Sequence, residues 1–522
     1  MGPLQRKYHL AQEQTQKLST SNKNPTRLLR IKSASEVQLV NAREDVELLM
    51  YTALSYCWGS PDDEDTSRGR TTADNFDLRH GQPFPITELP ATIRDAIILT
   101  RGCGLEYIWV DSVCIIQGDM DDWLTEANRM HEVYANAYFT ICAASVESAS
   151  AGLLHTRQAW KYSVEPCQLA SNRISIRSSS FRELIQGSAW SKRAWTLQEE
   201  HLSPRIMYWT PQRMYWSCSR RFITEGESLG RPAPAAIHHP PESSFLAASR
   251  SGLHLHERWY DMVESFTKRA LTNPSDKLPA IAGIAMRYHR HRESDEYLAG
   301  LWRDTFALDL AWRTSVYLME SQKPLCEDDI IPSWSWASLP CGHPAIMRRR
   351  HCESDDIPKD RLLLVQSRPS HADEGRMADT TVRSVHVKGR MRPLLSSYSE
   401  RKDWSNVSVR GGDGQESFSF RKYVGDDIHC VDLSRGLVLA YEAHREETMA
   451  HVDYIVDADR VYCGVADVEC LELGESEMLL VERCGRDDNK TEHLQSYRRI
   501  GVSWNFRGDF FDGRAQIEIE LV

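Results

Sequence analysis

Tyr51-Thr-Ala-Leu-Ser-Tyr56 has the aromatic and β-branched content of a strand, and it runs straight into Cys57-Trp58-Gly59, where the apolar run stops. By composition, Ser60 to Asn75 reads as a polar, acidic loop. Leu89-Pro-Ala-Thr-Ile-Arg-Asp-Ala-Ile-Ile-Leu99 follows, with a proline near its start and Ile93, Ala96 and Ile97 at helical spacing. Gly102 and Gly104 end that helix, and Tyr107-Ile-Trp-Val-Asp111 reads as a short buried strand closed by a carboxylate. Asp121 to Tyr134 places Trp123, Ala127, Met130 and Tyr134 on one helical face, and Ala137 to Ala144 is a further buried strand. Continuous apolar strands alternating with helices predict an α/β fold, a parallel sheet flanked by helices on both faces. Ligands of such sheets collect outside the carboxyl ends of the strands, where Gly59 and Asp111 fall.

Further along, Ala189 to Glu200 reads as the start of a helix, and Arg205-Ile-Met-Tyr-Trp209 and Arg213-Met-Tyr-Trp-Ser-Cys218 are strand-like. Residues 226–250 are rich in Gly, Pro, Ala and Ser. A helical section runs from Trp259 to about Arg313 and closes on Pro332-Ser-Trp-Ser-Trp-Ala-Ser338. Short alternating runs then recur at 382–387, 436–441, 477–482, 499–503 and 517–521 and predict an antiparallel β subdomain. The expected organisation is a flexible arm over 1–26, the α/β domain over 27–225, a linker over 226–250, a helical region over 251–345 and a C-terminal β-rich subdomain over 346–522.

A chain of 522 residues is too long for one core, since single cores stop growing at roughly 250 to 300 residues. Hydrophobic residues at 41% and charged residues at 26% suit a globular protein and argue against a mostly disordered one. Lys and Arg number 63 against 74 Asp and Glu, and the net charge of −11 disfavours nucleic acid as a general partner. The 13 cysteines are odd in number, scattered and without a Cys-x-x-Cys pair, which fits free thiols in a reducing compartment. The polar N-terminus lacks the apolar stretch of a signal peptide, and no apolar run approaches the ~18 residues of a membrane span. A cytoplasmic protein without a membrane anchor is expected. Tryptophan is over-used, 15 residues against 13 phenylalanines, so its placement marks tight packing or aromatic recognition.

Tyr51 to Gly59, Ile108-Trp-Val-Asp-Ser-Val-Cys-Ile-Ile-Gln117, Trp123-x-x-Glu126 with Met130 and Tyr134, and Arg193-Ala-Trp-Thr-Leu-Gln-Glu199 together resemble the fungal heterokaryon incompatibility (HET) domain. Asp276 to Gly283, Tyr297 to Trp302 and Pro332 to Ser338 are similar to segments that accompany it, extending the resemblance to about residue 345. The resemblance implies nonself recognition and a regulated cell-death response. HET domains are in turn distantly similar to Toll/interleukin-1 receptor (TIR) domains, some of which cleave NAD. Tyr51-x-Ala-Leu-Ser-Tyr resembles the first-strand string of TIR domains, and Trp195-x-x-x-Glu199 has the spacing in which plant-type TIR domains carry their catalytic glutamate.

On that basis Glu199 is the candidate catalytic residue, with NAD as substrate and no bound cofactor or metal. One carboxylate beside the ribose suffices to stabilise an oxocarbenium-like transition state, because nicotinamide leaves readily. Tyr56, Trp58, Gly59, Asp111, Arg193 and Trp195 are the candidate substrate-binding residues: rings for stacking, a glycine for close approach, a carboxylate for ribose hydroxyls, a guanidinium for phosphate. Each has a plainer reading. Glu199 also fits an exposed helix carboxylate or an ion pair with Arg193, Gly59 a turn, Asp111 a cap, and the tryptophans a core. Glu200 is expected to be solvated, and Glu126 to be a buried partner for Arg94 or Arg129, or for the crevice. A nucleophile built from Cys114 with His131 or His201 has no signature behind it. The resemblance leaves two mechanisms open, NAD cleavage and a non-enzymatic death-signalling module acting by self-assembly, with an activating protein partner expected in either.

Overall fold

The computed structural model describes residues 24–43, 48–60, 64–155, 167–169, 172–174, 180–218, 221–225, 231–232, 252–314, 331–348, 362–369, 382–393, 405–410, 417–422, 429–433, 436–441, 446–452, 468–474, 477–484, 494–504 and 511–522. They fall into two units, Met1–His254 with Pro279–Ile284, and Leu255–Leu278 with Ala285–Val522. Nearly all of the expected arm and linker lies outside the described residues.

In the first unit the strands are β1 (Arg27–Ile31), β2 (Glu36–Asn41), β3 (Tyr51–Ser55), β4 (Phe84–Pro85), β5 (Tyr107–Trp109), β6 (Phe139–Cys142), the separate hairpin β7 (Cys167–Leu169) and β8 (Asn172–Ile174), then β9 (Arg205–Trp209), β10 (Met214–Cys218), β11 (Arg221–Thr224) and β12 (Arg231–Pro232). The helices are α1 (Glu64–Arg68), α2 (Ala73–Gly81), α3 (Ala91–Gly102), α4 (Asp111–Cys114), α5 (Met120–Ala127), α6 (Met130–Asn136), α7 (Phe181–Gln186) and α8 (Trp195–Leu202). Ten strands form one sheet in the order β12-β11-β10-β9-β6-β3-β5-β1-β2-β4, and β9, β6, β3 and β5 run parallel at its centre.

The chain passes from β3 to β5 on one side, then returns past β3 to β6 on the other, so the direction of winding reverses at β3. Right-handed crossovers then place the first connecting helix on one face and the later ones on the opposite face. The pleat of β3 agrees. Thr52 shares a 2.7 Å hydrogen bond with Thr100 of α3, whereas Tyr51 donates to the Val133 carbonyl of α6 at 2.6 Å, and Ser55 reaches α8 on that same side. The alternating strands and helices read from the sequence are therefore present, with Ile93, Ala96 and Ile97 of α3 buried as their spacing requires.

Three local readings are corrected. The stretch Ser60 to Asn75 contains α1 and the start of α2. The helix expected over Asp121 to Tyr134 is two helices: Arg129 leaves helical geometry at φ −105, ψ −5 as its guanidinium turns to the Asn24 carbonyl at 3.1 Å and the Thr26 hydroxyl. Glu126 is buried and feels Arg129 as expected, but it also faces Arg27 of β1, at 3.8 Å, and not Arg94. Strands β1 and β2 form a hairpin that extends the sheet beyond β5, with Arg27 and Arg30 interrupting the apolar pattern by which such a strand is recognised.

The second unit contains α9 (Gly252–Thr267) from Leu255 on, the second half of α10 (Pro279–His289), α11 (Phe306–Asp309), the hairpin β13 (Tyr297–Leu298) and β14 (Leu301–Trp302), and the pair β15 (Arg313–Thr314) and β16 (Ala345–Ile346). Strands β17 (Leu363–Pro369), β18 (Val382–Pro393), β21 (His429–Leu433), β22 (Gly436–Tyr441), β23 (Glu446–Val452), β24 (Val468–Glu472), β25 (Glu477–Arg483), β26 (Ser496–Trp504) and β27 (Gln516–Leu521) make a nine-stranded sheet, and β19 (Ser405–Arg410) pairs with β20 (Ser417–Lys422). Strand β27 pairs both β18 and β26, which closes β18, β24, β25, β26 and β27 into a ring without free edges. The β subdomain is antiparallel as expected, except for the parallel pair β26–β27. Arg499 of β26 is buried, donates to the Leu310 and Trp312 carbonyls, and lies 3.5 Å from the Trp312 ring centroid. Among the described residues no helix is long and apolar enough to cross a membrane.

Arg27 ties β1 to the rest of the sheet's layers: it donates to both Asp122 carboxylate oxygens at 2.7 and 2.6 Å and to the Cys114 carbonyl at 2.6 Å. Replacing it by Met leaves the Asp122 carboxylate without its cation and Glu126 with Arg129 alone. Arg27→Met is expected to lower stability by about 3 kcal/mol in urea unfolding, the scale of breaking a buried ion pair; a change within ~0.5 kcal/mol would mean that the pair behaves as a surface one.

Candidate active site

Ser55 is the last residue of β3, and its side chain points to the face covered by α8. There its hydroxyl donates to Glu199, one turn into that helix. Trp190, in the turn before α8, donates its indole N–H to the same serine oxygen at 2.6 Å. The result is a buried chain, indole to hydroxyl to carboxylate, with Glu199 only 3% exposed. The Tyr134 hydroxyl, which donates to the Leu54 carbonyl at 3.2 Å, stands beside the same carboxylate.

Past Ser55 the chain leaves the sheet and carries four further groups. The Tyr56 carbonyl accepts from Arg193, and the Tyr56 hydroxyl donates to Ser112 at 2.8 Å. Trp58 donates its indole N–H to Asp111 at 2.8 Å, while the other Asp111 oxygen accepts the Ser112 N–H at 2.7 Å. The Arg70 guanidinium lies over the Trp58 ring, 5.1 Å from its centroid. Gly59 turns the chain at φ +96, and a Cβ there would sit 2.7 Å from the Ser148 Cβ, so glycine is required by both the turn and the packing.

Burial sets the electrostatics. Loss of solvent pushes the Glu199 carboxyl up from 4.5 to about 7, against the opposing pull of Arg193 and the Ser55 hydrogen bond and with help from Asp111. Asp111 is likewise raised by burial, although Arg193 and Trp58 hold it back. Burial works against the charge on Arg193, but the carboxylates of Glu199 and Asp111 more than offset it and keep the guanidinium charged. The site therefore holds one fixed cation between two carboxyl groups, one of which changes charge near neutrality. Such a carboxyl can hold or release a proton, or stabilise positive charge formed in a dry crevice.

Of the residues read from the sequence, Tyr56, Trp58, Asp111, Arg193 and Glu199 are brought together at the carboxyl end of β3 and β5. Trp195 is half-buried and packs against the main apolar core, and Trp109 is wholly buried in it, edge-on to Tyr134 at 5.6 Å. Glu200 is not solvated: it is buried and accepts the Tyr208 hydroxyl of β9 at 3.0 Å, a partner that only the tertiary fold supplies. Burial pushes the Cys114 thiol up to about 12 and its sulfur accepts the Val110 N–H at 3.5 Å, both of which disfavour a thiolate there. Ser55, Trp190 and Arg70 are parts of the site that spacing did not single out; the alternation of β3 is the signal that puts Ser55 on the Tyr51 face.

Residues 51–199 match the family model described as Heterokaryon incompatibility protein (HET). The matched stretch spans the site, opening at the first residue of β3 and closing on Glu199 itself. No curated protein and no solved structure matches the chain.

Within the matched stretch, Glu199 makes stability depend on pH. Because the folded protein holds this proton more tightly than an unfolded chain does, stability is greatest below 4.5 for this group and declines as pH rises through about 7, by about 3 kcal/mol in total. Glu199→Gln removes the titration. Its stability relative to the parent is expected to improve by that order between pH 5 and pH 8 in urea unfolding, and a difference independent of pH would show a carboxylate ionised throughout.

Proposed function

We propose that this protein acts in heterokaryon incompatibility, in nonself recognition and regulated cell death in the cytoplasm, and that it does so by cleaving the nicotinamide glycosidic bond of NAD with Glu199 as the catalytic carboxylate. The observation that carries the enzymatic reading is the buried Glu199 carboxyl, paired with Ser55 and flanked by Arg193 at the carboxyl ends of the parallel strands. The match to the HET family supports the role, and the likeness of Trp195-x-x-x-Glu199 to the TIR spacing supports the chemistry.

In this reading the bond between C1′ of the ribose and the pyridinium nitrogen breaks, and its electron pair goes to the nitrogen, so nicotinamide departs neutral. The positive charge left on the ribose is stabilised by the Glu199 carboxylate, whose effect is enlarged by the low dielectric around it. Water adds its oxygen to C1′ and loses a proton, giving ADP-ribose. To reach Glu199 a ribose hydroxyl takes the place of the Ser55 hydroxyl, while Arg193 offers a charge to the phosphates.

A second reading is favoured by the same burial. With Glu199 closed off by Ser55, the domain acts as a non-enzymatic death-signalling module that self-assembles, released by an activating protein partner.

Purified full-length protein is expected to consume NAD, and Glu199→Ala and Glu199→Gln to slow that consumption by at least ~100-fold, the scale of losing one preorganised electrostatic group. Equal loss of NAD in parent and variants would remove Glu199 from the chemistry. In conditional expression, toxicity without NAD loss that survives Glu199→Ala would establish the assembly reading instead.

A further inference from the structure

The crevice contains a second polar arrangement, and the protein fills it with its own side chain. Trp58 lies with its ring under the Arg70 guanidinium and its N–H on Asp111, and it is only half-buried. Arg70 is held firmly. Buried Arg79 donates to the carbonyls of Gly69 at 3.0 Å and Arg68 at 3.2 Å and to the Thr71 hydroxyl at 3.1 Å. Thr71 in turn donates its N–H to the Ser112 carbonyl at 3.0 Å and accepts from Gln117 at 2.7 Å, so the loop carrying Arg70 is fastened to the segment carrying Asp111. Despite this order, the Arg70 Nε–H is buried with no acceptor. An unmet donor of this kind costs free energy, and its natural remedy is a ligand oxygen.

A cation that stacks on an aromatic face, a donor without an acceptor and a carboxylate that accepts an N–H from the ring beneath that cation together describe the recognition of a flat ring bearing a primary carboxamide. The amide NH2 would satisfy Asp111, its carbonyl oxygen would satisfy Arg70, and the ring would lie where the indole now lies. We propose that Arg70 and Asp111 form a subsite for a neutral aromatic carboxamide, the nicotinamide class, and that Trp58 is its built-in occupant, swinging out when the ligand enters. The proposal rests on the NAD reading of the neighbouring Glu199 and adds a direction to it. A guanidinium over the ring disfavours the pyridinium cation of the bound substrate and favours the neutral leaving group, a difference that lowers the barrier to bond breaking. Arg70 thereby becomes a specificity-determining residue.

The test is nicotinamide binding, read by calorimetry or saturation-transfer NMR on the full chain without turnover. Trp58→Ala is expected to bind nicotinamide at least ~10-fold more tightly than the parent, because no side chain has to be displaced, and Trp58→Phe, which keeps the ring and loses the N–H, to fall between them. Adding Asp111→Ala or Arg70→Leu to Trp58→Ala is expected to remove that gain. Nicotinic acid, which has no N–H for Asp111 and carries a charge that it repels, is expected to bind at least ~10-fold more weakly than nicotinamide. Equal affinity in the parent, Trp58→Phe and Trp58→Ala, an undiminished affinity in the double variants, or equal binding of the acid would each overturn the subsite. The two readings separate cleanly: nicotinamide bound in this way by a protein that leaves NAD intact sinks the catalytic role and keeps the subsite, whereas NAD consumption with equal affinities across the Trp58 series does the opposite.

Discussion

Taking a carboxylate out of water costs several kcal/mol unless hydrogen bonds and a nearby cation replace its hydration. Glu199 meets that requirement at one place in the fold, where Ser55 donates to it, Trp190 holds Ser55, and Arg193 supplies the charge. Ser55 comes from β3, and Trp190 and Arg193 from the turn before α8, so the site exists only if β3, that turn and α8 itself are in register. The parallel pairing of β3 with β6, and of β6 with β9, fixes that register on either side. Winding reverses at β3, and chemistry-bearing residues gather at the carboxyl end of that strand.

The consequence for function is a site that is satisfied by itself. Ser55 donates to Glu199 and Trp58 to Asp111, and in the proposed reading these two donors hold the places of a ligand hydroxyl and a ligand N–H. Groups that stand in for a ligand keep buried carboxyls paired while the site is empty and must be exchanged when it fills. Such an exchange is nearly neutral in hydrogen bonds, so access can be governed by modest forces such as those of a binding partner.

How far this was legible in the sequence follows from the range of the interactions. The strands Tyr51–Ser55 and Phe139–Cys142 and the helix Ala91–Gly102 announce themselves by local period, and Trp58, Asp111, Arg193 and Glu199 stand in strings of rare composition. Glu200 was misread because its partner, Tyr208, lies on another strand, and periodicity within α8 carries no record of it. The hairpin of β1 and β2 is obscured by Arg27 and Arg30, of which Arg27 is buried through carboxylates nearly a hundred residues away. Ser55 and Arg70 have no spacing of their own; one is defined by the pleat of β3, the other by buried Arg79 gripping a loop that reads as merely polar.

The protonation of Glu199 is the point at which fold and proposed chemistry meet. Isotope-edited infrared difference spectra between the parent and Glu199→Gln resolve the C=O stretch of a single protonated carboxyl. A band present at pH 5.5 that fades with a midpoint close to 7 is the expected result. Absence of that band at pH 5.5, with a carboxylate already ionised, would contradict the buried, serine-held carboxyl on which the site is built.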